Sequence, residues 1–381
     1  MAGDASLRGI PEVGTLISTT RVIGFPGRYI QGPGVLEQLG TLVVELGGRR
    51  PVIISDDAVQ AALGELVPRA MAHAELQFRR LRFAGECTRA AVADLSAQAR
   101  LAEVDMVVAL GGGKTIDTAK GVARELGLAL IVAPTVASND SPTSRLIVLY
   151  DETHRLIGVD YLVRNPDLVL VDTLVIVQAP LRFFRAGIGD AISKRFEAAQ
   201  CAAAGGHNFF GGLPPGIALV MANQCHAAIE QHGLAALLDV ARHAVTPAVE
   251  TVAEATVLLS GLAFESGGLS LSHALLRGLT TVPGLASALH GEMVAFGSLV
   301  QLVLERRSSD ELDQHAALLK RLGLPTTLSE LGQDALTPQE LQRVAELTMQ
   351  APYAGNFQRI LKVSEVASAI VAADALGRSP D

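Results

Sequence analysis

The sequence predicts an α/β half with a parallel sheet, followed by an all-helical half. Short β-branched runs alternate with helical periodicity up to about residue 178. The strand signal then stops, and successive helical segments follow, punctuated by glycine and proline. Composition allows a large core: of 381 residues, 49% are apolar and 18% charged, with a mean hydropathy of +0.34.

The predicted strands, in order, are residues 51–55 (PVIIS), 76–83, 106–110 (MVVAL) and 130–133 (LIVA). Residues 144–150 and 155–162 flank a polar turn at 151–154 and read as a hairpin, and LVLV at 168–171 closes the series. Between the earlier runs lie helical patterns such as residues 115–126, where Ile116, Ala119, Ala123 and Leu126 share a face. Strand–helix alternation implies a parallel sheet covered on both faces. From Gly187 onward, helices are separated by GGLPPG (211–216), Pro247, Gly267-Gly268, Pro283-Gly284 and Pro325. The expected domains are therefore 1–178 and 179–381.

Several function classes are excluded. No uninterrupted apolar run reaches the ~18 residues of a membrane span; the best, residues 126–133, stops at Pro134. The start, MAGDASLRGIPEVG, lacks a basic region followed by an apolar one, so a cytoplasmic protein without signal peptide is expected. Cys87, Cys201 and Cys225 form no CxxC and no paired framework, which fits a reducing compartment. A net charge of −8, with 4% aromatics and no Trp, argues against a nucleic-acid partner. A small-molecule ligand remains.

Residues 110–117 (LGGGKTID) follow a buried-strand pattern and open a helix. Glycines let backbone amides approach a pyrophosphate, and the helix N-terminus favours its charge. A P-loop would require glycine where Val108 stands, and GxGxxG is absent. Lys114, one of five lysines, sits at this turn. Asp56 and Asp57 follow the PVIIS strand, where a carboxylate can accept from ribose hydroxyls and repel a 2′-phosphate. A helix N-cap is an equally good reading of either one. Together, the features point to NAD in preference to NADP. In the second half, Asp190, His273 and His290 are ligand-type residues in glycine-flanked apolar helical stretches. One Asp and two His would leave an open position on zinc; a capping aspartate and core histidines are the bland alternative.

Six blocks, in order, carry a resemblance: PGRYIQGPGVLEQLG (26–40), GGGKTIDTAK (111–120), APTVASNDSPTS (133–144), GIGDAISKRFEA (187–198), FESGGLSLSHA (264–274) and HGEMVAFG (290–297). From about Arg21 to the C-terminus the chain resembles the glycerol dehydrogenases of the metal-dependent group III (iron-containing) alcohol dehydrogenase superfamily. The resemblance implies a Rossmann-like dinucleotide-binding domain and an all-α metal-binding domain, the dehydroquinate synthase-like fold, with the reaction site in the cleft between them. It implies zinc on Asp190, His273 and His290. It implies an NAD site lined by Gly113, Lys114, Thr115, Ile116, Asp117, Thr135, Ser138, Ser144, Leu146 and Tyr150, with Asp56 at the adenosine ribose. Asp140 matches the substrate-binding aspartate, although SNDSP also reads as a plain turn. Asp140 and His273 are the implied catalytic residues, and a homo-oligomer, up to an octamer, is implied as well.

Iron-using relatives carry a histidine four residues after the aspartate; here that position is Lys194, which favours three-ligand zinc over four-ligand iron. Lys194 and Arg195 replace small and aromatic residues, Leu276 and Arg277 replace a His-Asn pair, and Met293 replaces a lysine. Side chains of this kind pointing at the site would make it more cationic; otherwise they face solvent or a subunit contact. The expected reaction is NAD-dependent oxidation of glycerol, or a similar vicinal diol, to dihydroxyacetone or a hydroxyketone. The rival substrate is a 2-hydroxy acid or phosphorylated polyol bound by Arg277 or Lys194. A sugar-phosphate cyclase would need more phosphate-binding basic residues, and a silent NAD-binding scaffold would not need the three metal residues.

Overall fold

The computed structural model describes residues 19–152 and 156–379. The start at residues 1–14, together with His154 and Arg155 of the expected hairpin, lies outside the described residues. One compact unit comprises Phe25–Thr135 and Ser141–Val175; the other comprises Arg21–Gly24, Val136–Asp140 and the chain from Ile176 onward.

The first unit contains strands β1 (Tyr29–Gly32), β2 (Pro51–Ser55), β3 (Arg79–Arg82), β4 (Met106–Gly111), β5 (Ala129–Pro134), β6 (Leu146–Tyr150), β7 (Leu156–Tyr161) and β8 (Leu168–Asp172). Its helices are α1 (Leu39–Glu45), α2 (Asp57–Leu63), α3 (Leu66–His73), α4 (Arg89–Leu101) and α5 (Gly113–Leu126). Six strands form one parallel sheet in the order β1-β8-β5-β4-β2-β3, and β6 and β7 form the expected antiparallel hairpin. Strands β2, β4 and β8 are buried along their whole length, as a doubly covered sheet requires. Leu36, Leu39, Met71, Ile53, Val108, Ile131 and Leu170 join one core cluster on one side of it. From β2 the chain moves outward to β3, and from β4 it moves the other way to β5, so the order reverses between β2 and β4. Such a reversal opens a crevice at the strands' carboxyl ends, where ligands of doubly wound sheets bind.

Two strand expectations shift. The segment expected at 76–83 is extended only over Arg79–Arg82, because the Leu76 amide donates to the Met71 carbonyl at 3.0 Å and closes α3. Glu75 supplies the left-handed residue of that C-terminal cap, at φ 55°. Its short, arginine-rich sequence suits β3 to the sheet edge. Strand β1 was not expected: four residues flanked by glycine and paired only with β8 carry too weak a pattern.

Helices then follow as α6 (Thr173–Gln178), α7 (Leu181–Ala191), α8 (Lys194–Ala203), α9 (Gly216–Val240), α10 (Pro247–Glu254), α11 (Ser260–Gly267), α12 (Leu271–Ala274), α13 (Leu276–Leu279), α14 (His290–Leu304), α15 (Ser309–Arg321), α16 (Leu328–Leu331), α17 (Pro338–Met349) and α18 (Val363–Gly377). Among the described residues, the second unit contains no strand longer than the isolated bridge Arg21–Leu213. α10, a π-helical turn and α11 run on as Pro247–Gly267, which by length and composition could cross a membrane at a mean hydropathy of 1.3. It packs instead as a core helix, 61% buried against α8 and α9. α14 lies against α7, α12 and α18, and this packing assembles the polar cluster described next.

Candidate active site

Asp190 stands near the end of α7 and is fully buried. His273 lies on α12, and His290 is the first residue of α14. Their donor atoms all lie within 4.8 Å of one another. Asp190 Oδ1 is 3.1 Å from His273 Nε2 and 3.6 Å from His290 Nε2. Ligands ~2.1 Å from a tetrahedral zinc are separated by ~3.4 Å, so the donor set fits such an ion. Asp190 Oδ2 is buried with no hydrogen-bond partner, an acceptor left open on the carboxylate of this cluster.

Two glycines make this assembly possible. A Cβ on Gly291 would lie 1.7 Å from the Ala186 carbonyl oxygen, so only glycine lets the start of α14 rest on α7. A Cβ on Gly187 would lie 2.0 Å from the Ala137 carbonyl oxygen, so glycine also lets residues 136–140 settle on α7 and bring in Asp140. A two-pronged ion pair fastens α7 to α14: Arg182 donates to both Glu292 oxygens at 2.7 Å.

Glu197, on α8, was missed by sequence reasoning. It is fully buried, and its Oε2 is 2.6 Å from His273 Nδ1. The amides of Ser270 and His273 donate to its Oε1, both at 3.0 Å, and Ser193 Oγ donates to Oε2 at 3.0 Å. A carboxylate behind a ligand histidine fixes the ring's orientation and raises its basicity. Burial works against a charged His273, but Glu197 and Asp190 outweigh it and raise the pKa to about 9. Burial likewise opposes the Glu197 charge, and His273 and Lys194 overcome it to hold the carboxyl below its usual range. The available signal was spacing: Glu197 is seven residues beyond Asp190, two turns along the same helical face.

Lys194 is one turn beyond Asp190, since the chain stays helical through Ile192 and Ser193. Its side chain is 1% exposed, and its Nζ lies 2.6 Å from Asp190 Oδ1, 3.1 Å from His273 Nε2 and 3.1 Å from Asp140 Oδ2. Burial would depress the lysine pKa, but Asp140, Asp190 and Glu197 together push it up. Burial pushes Asp190 up in turn, and Lys194 with the two histidines more than reverses that, holding it well below the usual carboxylate range. Asp140 moves the other way: burial and then the Asp190 charge raise it against Lys194. Asp140 Oδ2 also accepts from Ser260 Oγ at 3.0 Å. The remaining departures divide plainly. Arg195 is exposed over the Phe196 ring at 5.8 Å, and Arg277 is exposed, while Leu276 and Met293 are buried.

In the first unit, α5 starts immediately beyond β4, with Gly112 as its N-cap and no side-chain cap. Its first amides therefore face the crevice end of the sheet, where an anion can accept from them. Asp56 follows the adjacent strand β2, across the reversal point. It is also a helix cap, its Oδ1 accepting from the Val59 amide at 2.8 Å. Asp57 pairs with Arg82 at 2.6 Å on the surface. Lys114 Nζ lies 2.7 Å from Glu86 and 5.7 Å from the Tyr150 ring centre. Thr115, Ile116 and Asp117 are buried, and the Thr135 amide donates to the Gly111 carbonyl at 3.1 Å. Asp117, Ser144 and Leu146 converge on the fully buried Lys120. Its Nζ donates to Asp117 Oδ1 at 3.2 Å, to Ser144 Oγ at 3.4 Å and to the Ser141 and Leu146 carbonyls at 2.8 Å each. The Asp117 Oδ2 accepts from the Val148 amide at 3.1 Å, so both its oxygens are engaged within the unit. Ser138 is half-buried and belongs to the second unit.

The sequence family described as iron-containing alcohol dehydrogenase matches residues 26–173. A glycerol dehydrogenase of Escherichia coli O6:H1 is 39% identical over 86% of this chain and 89% of its own length. The chain belongs to the iron-containing alcohol dehydrogenase family. A glycolaldehyde reductase of Halobacterium salinarum is equally similar, 39% identical over 86% of the chain and 89% of that protein. The crystal structure of glycerol dehydrogenase from Schizosaccharomyces pombe superposes with a TM-score of 0.91 at 32% identity, covering 94% of this chain and 92% of that one. Members of this family are metal-dependent, NAD-linked dehydrogenases, and this chain is an oxidoreductase acting on the CH–OH group. The matched segment spans the sheet-bearing unit, whereas the Asp190–His273–His290 ring lies in the helical one.

Proposed function

We propose that this chain is an NAD- and zinc-dependent polyol dehydrogenase that oxidises glycerol, or a similar vicinal diol, to dihydroxyacetone or the matching hydroxyketone. The observation that carries the reading is the cluster of buried Asp190 and His273 with the exposed His290, in a chain 39% identical to a named glycerol dehydrogenase. Those three residues would hold the zinc, which supplies a Lewis acid that lowers the pKa of a substrate hydroxyl. NAD, as the hydride acceptor, supplies the redox chemistry, giving ketone, NADH and a proton.

The chain's own residues supply position and charge. Glu197 orients His273 and keeps its Nε2 directed at Asp190. Asp140, held by Lys194 and Ser260, offers an acceptor to a second substrate hydroxyl and thereby favours neutral polyols. The uncapped start of α5 takes the dinucleotide's pyrophosphate, with Lys114 and Tyr150 beside the turn and Asp56 at the ribose. Thr115, Ile116, Asp117, Ser144 and Leu146 shape that site from beneath. One observation favours a second reading, a 2-hydroxy acid: Lys194 places a buried cation in the ring, where a carboxylate could pair with it. Asp140, 3.1 Å from the same ammonium, weighs against a second anion there.

The test is glycerol oxidation with NAD before and after exhaustive chelation. Turnover should vanish on metal removal and return when zinc is added back, and His273→Ala should lose zinc and activity together. Full turnover by protein shown to contain no metal would refute the zinc assignment.

A further inference from the structure

We propose that Lys194 is a built-in competitor of the metal: its ammonium closes the Asp190–His273–His290 ring, and it must draw back for a divalent ion to be held there. The inference rests on the zinc reading above and concerns what this chain's own lysine does to that site.

Lys194 Nζ shares two of the three ring partners, at 2.6 Å from Asp190 Oδ1 and 3.1 Å from His273 Nε2. An ion ~2.1 Å from both of those atoms lies no more than ~4 Å from the ammonium, with no screening group between. Like charges at that range in a buried site repel strongly, because little water is present to screen them. The ring nevertheless remains suited to a metal. Asp190 Oδ2 has no hydrogen-bond partner, so the ammonium leaves one buried acceptor open. Lys194 also has acceptors outside the three donor atoms, the Asp140 carboxylate at 3.1 Å and the Asp190 carbonyl at 3.2 Å, which it can keep as partners when it gives up the ring.

The same contacts would let the protein fold without a metal. Asp140, Asp190 and Glu197 surround the centre, and an unneutralised buried carboxylate is strongly destabilising. Lys194 supplies the fixed positive charge when no ion is present. The chain should therefore bind metal weakly and reversibly, and should tolerate its loss.

The test is zinc affinity, measured by competition with a chromophoric chelator, for full-length wild type and Lys194→Met, a neutral side chain of similar length. Thermal midpoints are recorded with and without chelator. Wild type should bind zinc at least ~100-fold more weakly than K194M, and its midpoint should barely respond to chelation. K194M should lose stability on chelation and regain it with zinc. A K194M protein that folds only with zinc present, beside a wild type that folds without it, supports the same conclusion. Equal affinities overturn this inference alone. Zinc binding by neither protein overturns the zinc reading and the inference with it. A wild-type Kd below ~1 nM, about the −12 kcal/mol of an uncontested site, overturns the inference whatever the variant does.

Discussion

Glu197 and Asp56 are single carboxylates for which a backbone duty is observed and a second, chemical duty is proposed. Glu197 holds the Nδ1 side of His273 and also accepts from two backbone amides. Glu197→Gln keeps the shape but removes the charge behind the ligand ring. Zinc affinity and kcat/KM should both fall ~10–100-fold, as for other second partners of ligand histidines, with the fold retained by circular dichroism. Unchanged zinc affinity would show that the carboxylate only braces the backbone. Asp56 caps α2 and faces the crevice end of the sheet, so Asp56→Ala would confound lost cap with lost charge. Asp56→Ser keeps a capping oxygen, and it should narrow the preference for NAD over NADP in kcat/KM without lowering the melting temperature. An unaltered cofactor ratio would remove Asp56 from the ribose site. The grouping of Asp190, His273 and His290 could be anticipated because a family block surrounds each one, and their donor atoms do come within 4.8 Å of one another. Lys194 was legible only as a departure: sequence shows its spacing from Asp190, but burial and the 2.6 Å contact decide which way it points.

At the scale of elements, the junction of β4 and α5 was the most legible part of the fold. A buried apolar strand, a glycine turn and an amphipathic helix specify one another locally. β1 was not legible, because its pairing partner β8 lies about 140 residues away and its own four residues carry no strong alternation. Burial of Lys120 was hidden for a related reason. Its partners Ser141 and Leu146 come from a segment that only the fold brings back onto α5. Lys120 is buried with one carboxylate and two carbonyls as acceptors, and Lys120→Met would take the ammonium from all three, leaving the buried Asp117 charge without its cation. That change should cost ~3–5 kcal/mol, the range seen when one partner of a buried ion pair is removed, measured as a lower urea midpoint. A loss under ~1 kcal/mol would mean that water replaces the ammonium and that the 141–146 segment is held by other contacts.

For the whole molecule, the division of labour runs between a sheet that offers a crevice with helix amides and a helical unit that gathers Asp140, Asp190, Lys194, Glu197, His273 and His290. Family membership settles the reaction class, and substrate choice then rests on whether Asp140 or the cation beside it dominates recognition. The decisive measurement is kcat/KM with NAD for glycerol and 1,2-propanediol against lactate and 2-hydroxybutyrate, in zinc-supplemented buffer, for wild type and Asp140→Asn. Wild type should oxidise both diols faster than either hydroxy acid. Asp140→Asn should lower the diol values ~10–1000-fold, the worth of a charge-assisted hydrogen bond of ~1.4–4 kcal/mol in a buried site. Hydroxy acids that outrun every diol in the wild type, with Asp140→Asn leaving the diol rates untouched, would contradict the polyol dehydrogenase account.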